Sequence, residues 1–259
     1  MPPAIALSSF RRSPKIMRKI ALIAIGVALL AIQGVEASPP KGKNPSPSAT
    51  TNSTTAFIPE QARSLAARAE TAFAAGDLNQ AESLYKQALE FGPNNTALLV
   101  SLAAVETRIG KLAESEKYLL QALHLDLQNA PAWQLLGMNY LEEKRNDEAF
   151  AALVQSALYD PRNPRAHNYL GIAAGRKGWS EVSEDELRKA IELDPQYADA
   201  NFNLAVLYLR RTPPLIELGR RHYQQALDLG SPKDSAIEAQ LAKAIASPSP
   251  DPATSSALP

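Results

Sequence analysis

No cysteine occurs in the 259 residues of this chain. That excludes disulfides, thiolate nucleophiles, zinc–thiolate centres and anchoring through a lipidated N-terminal cysteine. Histidine is nearly as scarce. His124, His167 and His222 stand apart in the sequence, and none has a partner at metal-ligand spacing. No glycine-rich phosphate loop or serine nucleophile elbow is present, so the sequence holds no constellation for catalysis and none for a cofactor. Aromatic residues make up only 6% of the chain. Alanine is abundant instead, which suits close helix-on-helix packing. Net charge is also absent, with 27 basic against 27 acidic residues. The balance hides a division. Arg11, Arg12, Lys15, Arg18 and Lys19 precede residue 38, where Glu36 is the one acid, so the remainder keeps 22 bases and 26 acids. A mildly acidic remainder lacks the basic stripe that nucleic-acid binding needs.

No apolar run reaches the ~20 residues of a bilayer span. The longest, Ile20–Ile32, follows Arg18-Lys19 and leads to Val35-Glu36-Ala37 before Ser38. A basic start, a short apolar stretch and small or compact residues at a cleavage position make a secretory signal peptide, here residues 1–37. Met17 offers an alternative start that gives a signal of ordinary length. Arg11-Arg12 resembles the start of a twin-arginine signal, but Ser13-Pro14 follows where an aromatic is expected, which weakens that reading. Residues 38–57, rich in Ser, Thr, Pro, Asn and Lys, are expected to form a disordered linker, and residues 247–259 a disordered tail. The expected location is a bacterial periplasm or cell envelope. The alternative is an inner-membrane anchor through an uncleaved N-terminal segment, the sole membrane contact this reading allows.

Between these ends the chain repeats itself. Ala88, Ala122, Ser156 and Ala190 recur at a fixed step of 34, and Ala226 follows two residues late. Ala69, Ala103, Gly137, Gly171 and Ala205 keep the same step. Such a period fits two short helices and two tight turns, with small side chains where the helices approach. The third unit reads most clearly. Trp133, Leu136, Gly137 and Tyr140 share one helical face, followed by Ala149, Leu153, Ser156 and Pro161. Gly76, Gly110 and Gly178 mark the turn inside a unit, where a left-handed residue ends a helix. Pro93, Pro161 and Pro195 follow the second helix, which cannot continue through them.

These residues resemble the tetratricopeptide repeat, whose pattern is W-x2-L-G-x2-Y followed by A-x3-F, A and P. The resemblance covers about five units, starting near Ala62, Thr96, Ala130, Pro164 and Ala198. It implies an all-α, right-handed solenoid of about five helix-turn-helix repeats plus a C-terminal capping helix, over residues 58–246. The capping helix begins at Asp234 or Ser235 and turns Ile237, Leu241 and Ile245 to one side. Three departures from the pattern carry expectations of their own. Arg68 stands where Leu is usual, which marks an outward-facing end. Leu127 replaces a terminal Pro and allows the second helix of unit 2 to run on. Thr212-Pro213-Pro214 replaces a glycine turn, with Thr212 positioned to cap the helix that follows.

The resemblance further implies that the first helix of each unit lines a concave, partner-binding groove. The positions that would project into it carry Arg108, Gln134, Met138, Leu141, Arg165, Asn168, Ile172, Arg176, Phe202, Val206, Leu209 and Arg210. Apolar groups beside arginines suit a peptide with apolar anchors and a carboxylate. The competing expectation is that Phe202, Val206 and Leu209 pack under the capping helix. The function read from the sequence is a non-catalytic, exported protein–protein interaction scaffold. It binds a protein or peptide, without a small-molecule substrate, nucleic acid, metal or cofactor. The two alternatives are a membrane-anchored assembly factor and an enzyme with its site in the groove.

Overall fold

The computed structural model describes residues 59–246, which fall within one compact unit. The expected signal peptide, start at Met17, linker and tail lie outside the described residues, as does the side chain of Ile245. Every regular element among the described residues is an α-helix. Unit 1 comprises α1 (Glu60–Ala74) and α2 (Leu78–Phe91), and unit 2 comprises α3 (Thr96–Ile109) and α4 (Leu112–Leu125). Unit 3 holds α5 (Ala130–Glu142) and α6 (Asn146–Tyr159), and unit 4 holds α7 (Pro164–Arg176) and α8 (Ser180–Leu193). Unit 5 holds α9 (Ala198–Arg210) and α10 (Ile216–Asp228), after which α11 (Ser235–Ala246) closes the series. No helix among the described residues is long and apolar enough to cross a membrane.

Short polar side chains set where helices begin. Asn95, Asn129 and Asn163, at the 34-residue step, accept hydrogen bonds from the backbone N–H of Leu98, Ala132 and Ala166 at 2.9, 3.0 and 3.3 Å. Each satisfies an otherwise orphaned donor in the first turn. Tyr197 takes the same place in unit 5 and provides no such bond. Within units, left-handed turns follow the first helix at Gly76, Gly110 and Gly178 (φ 81°, 90° and 74°). Unit 3 has Lys144 there, at φ 61°. Two sequence expectations fail. The helix before Leu127 stops at Leu125, the same repeat position as its neighbours, so the missing Pro does not extend it. Thr212 does not cap α10, whose N-cap position is Leu215 without a side-chain bond.

The two small-residue rows form the contact between paired helices. Ala69, Ala103, Ala205, Ala88, Ala122, Ser156, Ala190 and Ala226 are all fully buried. A Cβ added at Gly137 or Gly171 would fall 2.5 Å from Leu153 Cγ or 2.7 Å from Leu187 Cγ. Successive first helices, α3, α5, α7 and α9, also touch one another, whereas second helices make no comparable contact. The first helices therefore form the short side of the array. Each repeat meets only its neighbours, as a solenoid requires.

Adjacent units are joined at one recurring spot. Glu116 on α4 accepts from the Tyr140 hydroxyl at 2.7 Å and from Arg145 Nη1 at 2.9 Å. Glu184 on α8 accepts from the Tyr208 hydroxyl at 2.9 Å and from Arg211 Nη2 at 2.6 Å. Between units 1 and 2 the tyrosine is replaced by Glu106. There Lys111 holds Glu82 at 2.8 Å, and Lys86 and Lys111 lie 3.3 and 3.6 Å from the fully buried Glu106 carboxylate. Between units 3 and 4 the corresponding positions are Phe150 and Trp179, packed edge to face at 4.9 Å. Trp179 is thus a packing residue between units.

A second recurring pair joins the two helices of one unit. Leu65 and Leu84, Leu99 and Tyr118, and Trp133 and Ala152 occupy it in units 1 to 3, all within apolar clusters. In unit 4 it becomes polar, with His167 Nδ1 2.6 Å from Glu186 Oε2 and its Nε2 donating to the Pro161 carbonyl at 3.1 Å. In unit 5 His222 Nδ1 donates to Asn201 Oδ1 at 3.0 Å. The acidic run of α8 therefore divides its work. Glu184 joins units and Glu186 holds His167.

Candidate functional site

The short side of the array is surfaced by residues at fixed places on the first helices. Ala104, Met138, Ile172 and Val206, again at the 34-residue step, are half-buried and form an aliphatic row along it. Ile172 and Val206 pack against core clusters and keep partial exposure. A second row, Arg108, Glu142, Arg176 and Arg210, is exposed at the C-terminal ends of the same helices. Cations there also complement the negative end of the helix dipole. The surface is therefore an apolar floor with a charged rim.

The rim arginines differ in how they are held. Arg108 lies over the Phe73 ring, 5.0 Å from its centroid. Arg176 donates from Nη1 to the Leu141 carbonyl, reaching back to the preceding first helix. Arg165 and Arg210 are exposed and form no ion pair with a described carboxylate. Acidic groups are not missing from this side, since Glu70, Glu142 and Asp199 are exposed on it. The arginines nevertheless outnumber them toward unit 5.

Not every residue expected in the groove reaches the surface. Leu141 and Leu209 are 5% and 4% exposed and belong to the core, Leu209 directly against Gly219. Asn168 is 2% exposed and spends its amide inside the protein. Its Nδ2 donates to the Tyr197 hydroxyl at 3.3 Å, and its Oδ1 accepts from Asn203 Nδ2 at 2.9 Å. Burial, with the nearby Tyr169 and Asp199, pushes the Tyr197 hydroxyl up to about 12, so it stays neutral. These three side chains are structural groups. Phe202 and Val206 pack beside Ile237 and Leu241 of α11, as the competing expectation had it, but keep partial exposure. Gln134 and Met138 adjoin each other, with Gln134 Oε1 also accepting from Asn163 Nδ2 at 3.2 Å. Asn163, Tyr197 and Asn203 were not foreseen as neighbours of the groove. Their step from the preceding units was visible, but their side-chain bonds cross between units.

Among the described residues no group of three or more His, Asp or Glu side chains is placed to hold a cation. His124 is exposed, His167 is buried in its pair with Glu186, and His222 is half-buried.

Comparison with known proteins gives one family. Residues 72–138, 130–163 and 186–228 each match a family described as tetratricopeptide repeat. Among curated proteins, human Protein O-mannosyl-transferase TMTC3 is 24% identical over 189 residues, covering 56% of this chain. The matching stretch is only 21% of that protein's length. Among solved structures, PilF of Pseudomonas aeruginosa superposes with a TM-score of 0.64 at 19% identity, covering 72% of this chain and 85% of PilF. MamA from Desulfovibrio magneticus RS-1 gives 0.59 at 18% identity, covering 69% of this chain and 99% of that one. At such identities the structural likeness speaks to the fold.

Proposed function

This chain belongs to the tetratricopeptide repeat family, and from that premise we propose that it is a non-catalytic scaffold which holds a protein partner along its first-helix face. The observation that carries this reading is the half-exposed row Ala104, Met138, Ile172 and Val206, flanked by Arg108, Arg176 and Arg210. An apolar row of this kind suits the apolar side of a helix or extended segment. Arginines on the rim pair with its carboxylates, and an arginine fork holds a carboxylate through two parallel bonds. The residues assigned to binding are Arg108, Gln134, Met138, Arg165, Ile172, Arg176, Phe202, Val206 and Arg210. Export to the envelope is part of the same proposal and is supported by the signal-like pattern of residues 1–37.

Site-specific photo-crosslinking in the producing cell tests the surface. A benzoylphenylalanine at Met138 or Ile172 is expected to give partner adducts that controls at Leu120 and Leu158, exposed on second helices, do not give. Adducts confined to the controls would place binding on the other side. N-terminal sequencing of the chain recovered from the envelope tests export. A chain starting at Ser38 agrees with a cleaved signal, and an intact N-terminus in the membrane fraction supports the anchored alternative.

A further inference from the structure

We infer that the cavity between α2, α3 and α4 is a small-molecule site, which takes an indole carrying a positively charged side chain. The cavity measures about 300 Å³. That is the lower end of the range of ligand pockets, roughly 300–1,000 Å³. Leu89, Pro93, Leu99 and Tyr118 give it apolar walls, and Lys86, Glu90 and Gln121 give it polar ones. Most of this lining belongs to second helices. The site is therefore separate from the first-helix face and does not rest on the partner assigned there.

Sister positions in the array supply the template for the ring. Pro93, Leu127 and Pro161 share one repeat position, in the link between consecutive units. In unit 3 the Trp133 indole donates from Nε1 to the Leu127 carbonyl at 2.9 Å. In unit 4 the His167 imidazole donates from Nε2 to the Pro161 carbonyl at 3.1 Å. Both rings come from the same place on the first helix. Unit 5 has Asn201 there, which accepts from His222. Unit 2 has Leu99, which offers neither a ring nor an N–H, and Gln121 Nε2 of α4 reaches the Pro93 carbonyl instead, at 3.2 Å. Tyr118 takes part of the space, because unit 2 pairs Leu99 with Tyr118 where unit 3 pairs Trp133 with Ala152. The cavity lies against these same residues, Leu99, Tyr118, Gln121 and Pro93.

A flat ring with one N–H donor suits both the apolar walls and the carbonyl. The Pro93 oxygen has two lone pairs, so it can accept from a ligand while Gln121 keeps its bond. Apolar burial supplies the main favourable term for such a ring. The charged groups of the lining decide what the ring should carry. Lys86 is committed to Glu82 and to the buried Glu106 carboxylate. Glu90 is exposed and forms no ion pair with a described base. An ammonium on the ring's side chain complements that carboxylate, whereas a carboxylate there would be repelled by it.

Titration of the full chain with tryptamine, followed by NMR at the Leu89 and Leu99 methyls and the Tyr118 ring, tests this. Saturable shifts at these residues are expected, with NOEs from the ligand ring to them. Tryptophol, the neutral analogue, should bind roughly two- to fivefold more weakly, and indole-3-propionate more weakly still. Glu90→Gln should bring tryptamine down to the level of tryptophol. A double variant, Leu99→Trp with Tyr118→Ala, copies the Trp133–Ala152 pair and fills the cavity from within, so it should lose the response. The inference is overturned by absent saturable shifts, by NOEs to other residues or by equal binding of the three ligands. Unchanged tryptamine affinity in Glu90→Gln, or undiminished binding by the folded double variant, overturns it too. If the double variant does not fold, the NOEs and the order of the three ligands on the native chain decide.

Discussion

Lys144 occupies a left-handed turn that three other units give to glycine, at φ 61°. A side chain in that region costs roughly 1–2 kcal/mol. Lys144→Gly is therefore expected to stabilise the protein by about 1 kcal/mol, seen as a higher urea midpoint with unchanged slope. Gly171 presents the opposite case. A Cβ there would lie 2.7 Å from Leu187 Cγ and 3.2 Å from the Ser183 carbonyl oxygen, which cannot move without shifting α8. Overpacking of this kind costs roughly 1–3 kcal/mol, so Gly171→Ala should lower the same midpoint despite alanine's better helix propensity. Both positions were legible as repeat positions. The strain at one and the contact at the other were not, because they depend on backbone angle and on a neighbour 16 residues away.

Elements hold to their neighbours through the Glu–Tyr–Arg joint and its variants. The Lys111 and Lys86 ammonium groups hold the Glu82 carboxyl below its usual range. Burial works against the charge of Glu116, but the Tyr140 hydroxyl and Arg145 outweigh it and hold that carboxyl low as well. A lowered carboxylate contributes stability that is present above its unfolded value, near 4.5, and lost as pH falls through the folded one. Acid below about pH 4.5 should therefore loosen the joints between units 1 and 2 and units 2 and 3. Exchange at the Phe150–Trp179 joint should change least, because no carboxylate takes part in that pair. Replacing Glu116 by Gln should remove the response at its own joint only. The capping helix gives a further test at this scale. Leu241, 9% exposed, lies with Ile237 against the unit 5 cluster. Leu241→Ala should cost roughly 2 kcal/mol, read by chemical denaturation.

At the scale of the whole molecule, nearest-neighbour contacts make stability a sum over units and junctions. The consequence is graded opening from the ends of the array, where a unit has a repeat neighbour on one side only, while units 2 to 4 share one cluster. Partner binding along the first-helix face would span these junctions. A bound segment should therefore raise protection in α9–α11 more than in α5, since a ligand stabilises most where the free protein opens most. Hydrogen exchange with and without the partner checks this.

The sequence by itself determined the period, and with it the helical pairs, the turns, the small-residue contacts and the capping helix. Those features rest on spacing within a unit or on a side chain too small to prevent close approach, and both survive in one dimension. Only the tertiary structure decided which first-helix residues are surface. Met138 and Ile172 remain half-exposed, while Leu141, Asn168 and Leu209 turn inward. The outcome depends on how far each unit turns against the next and on whether a neighbour offers a partner, as Asn203 and Tyr197 do for Asn168. The same holds for the joints between units. Glu116 with Arg145 and Phe150 with Trp179 are equivalent in register and different in chemistry, and only packing in three dimensions brings each pair into contact.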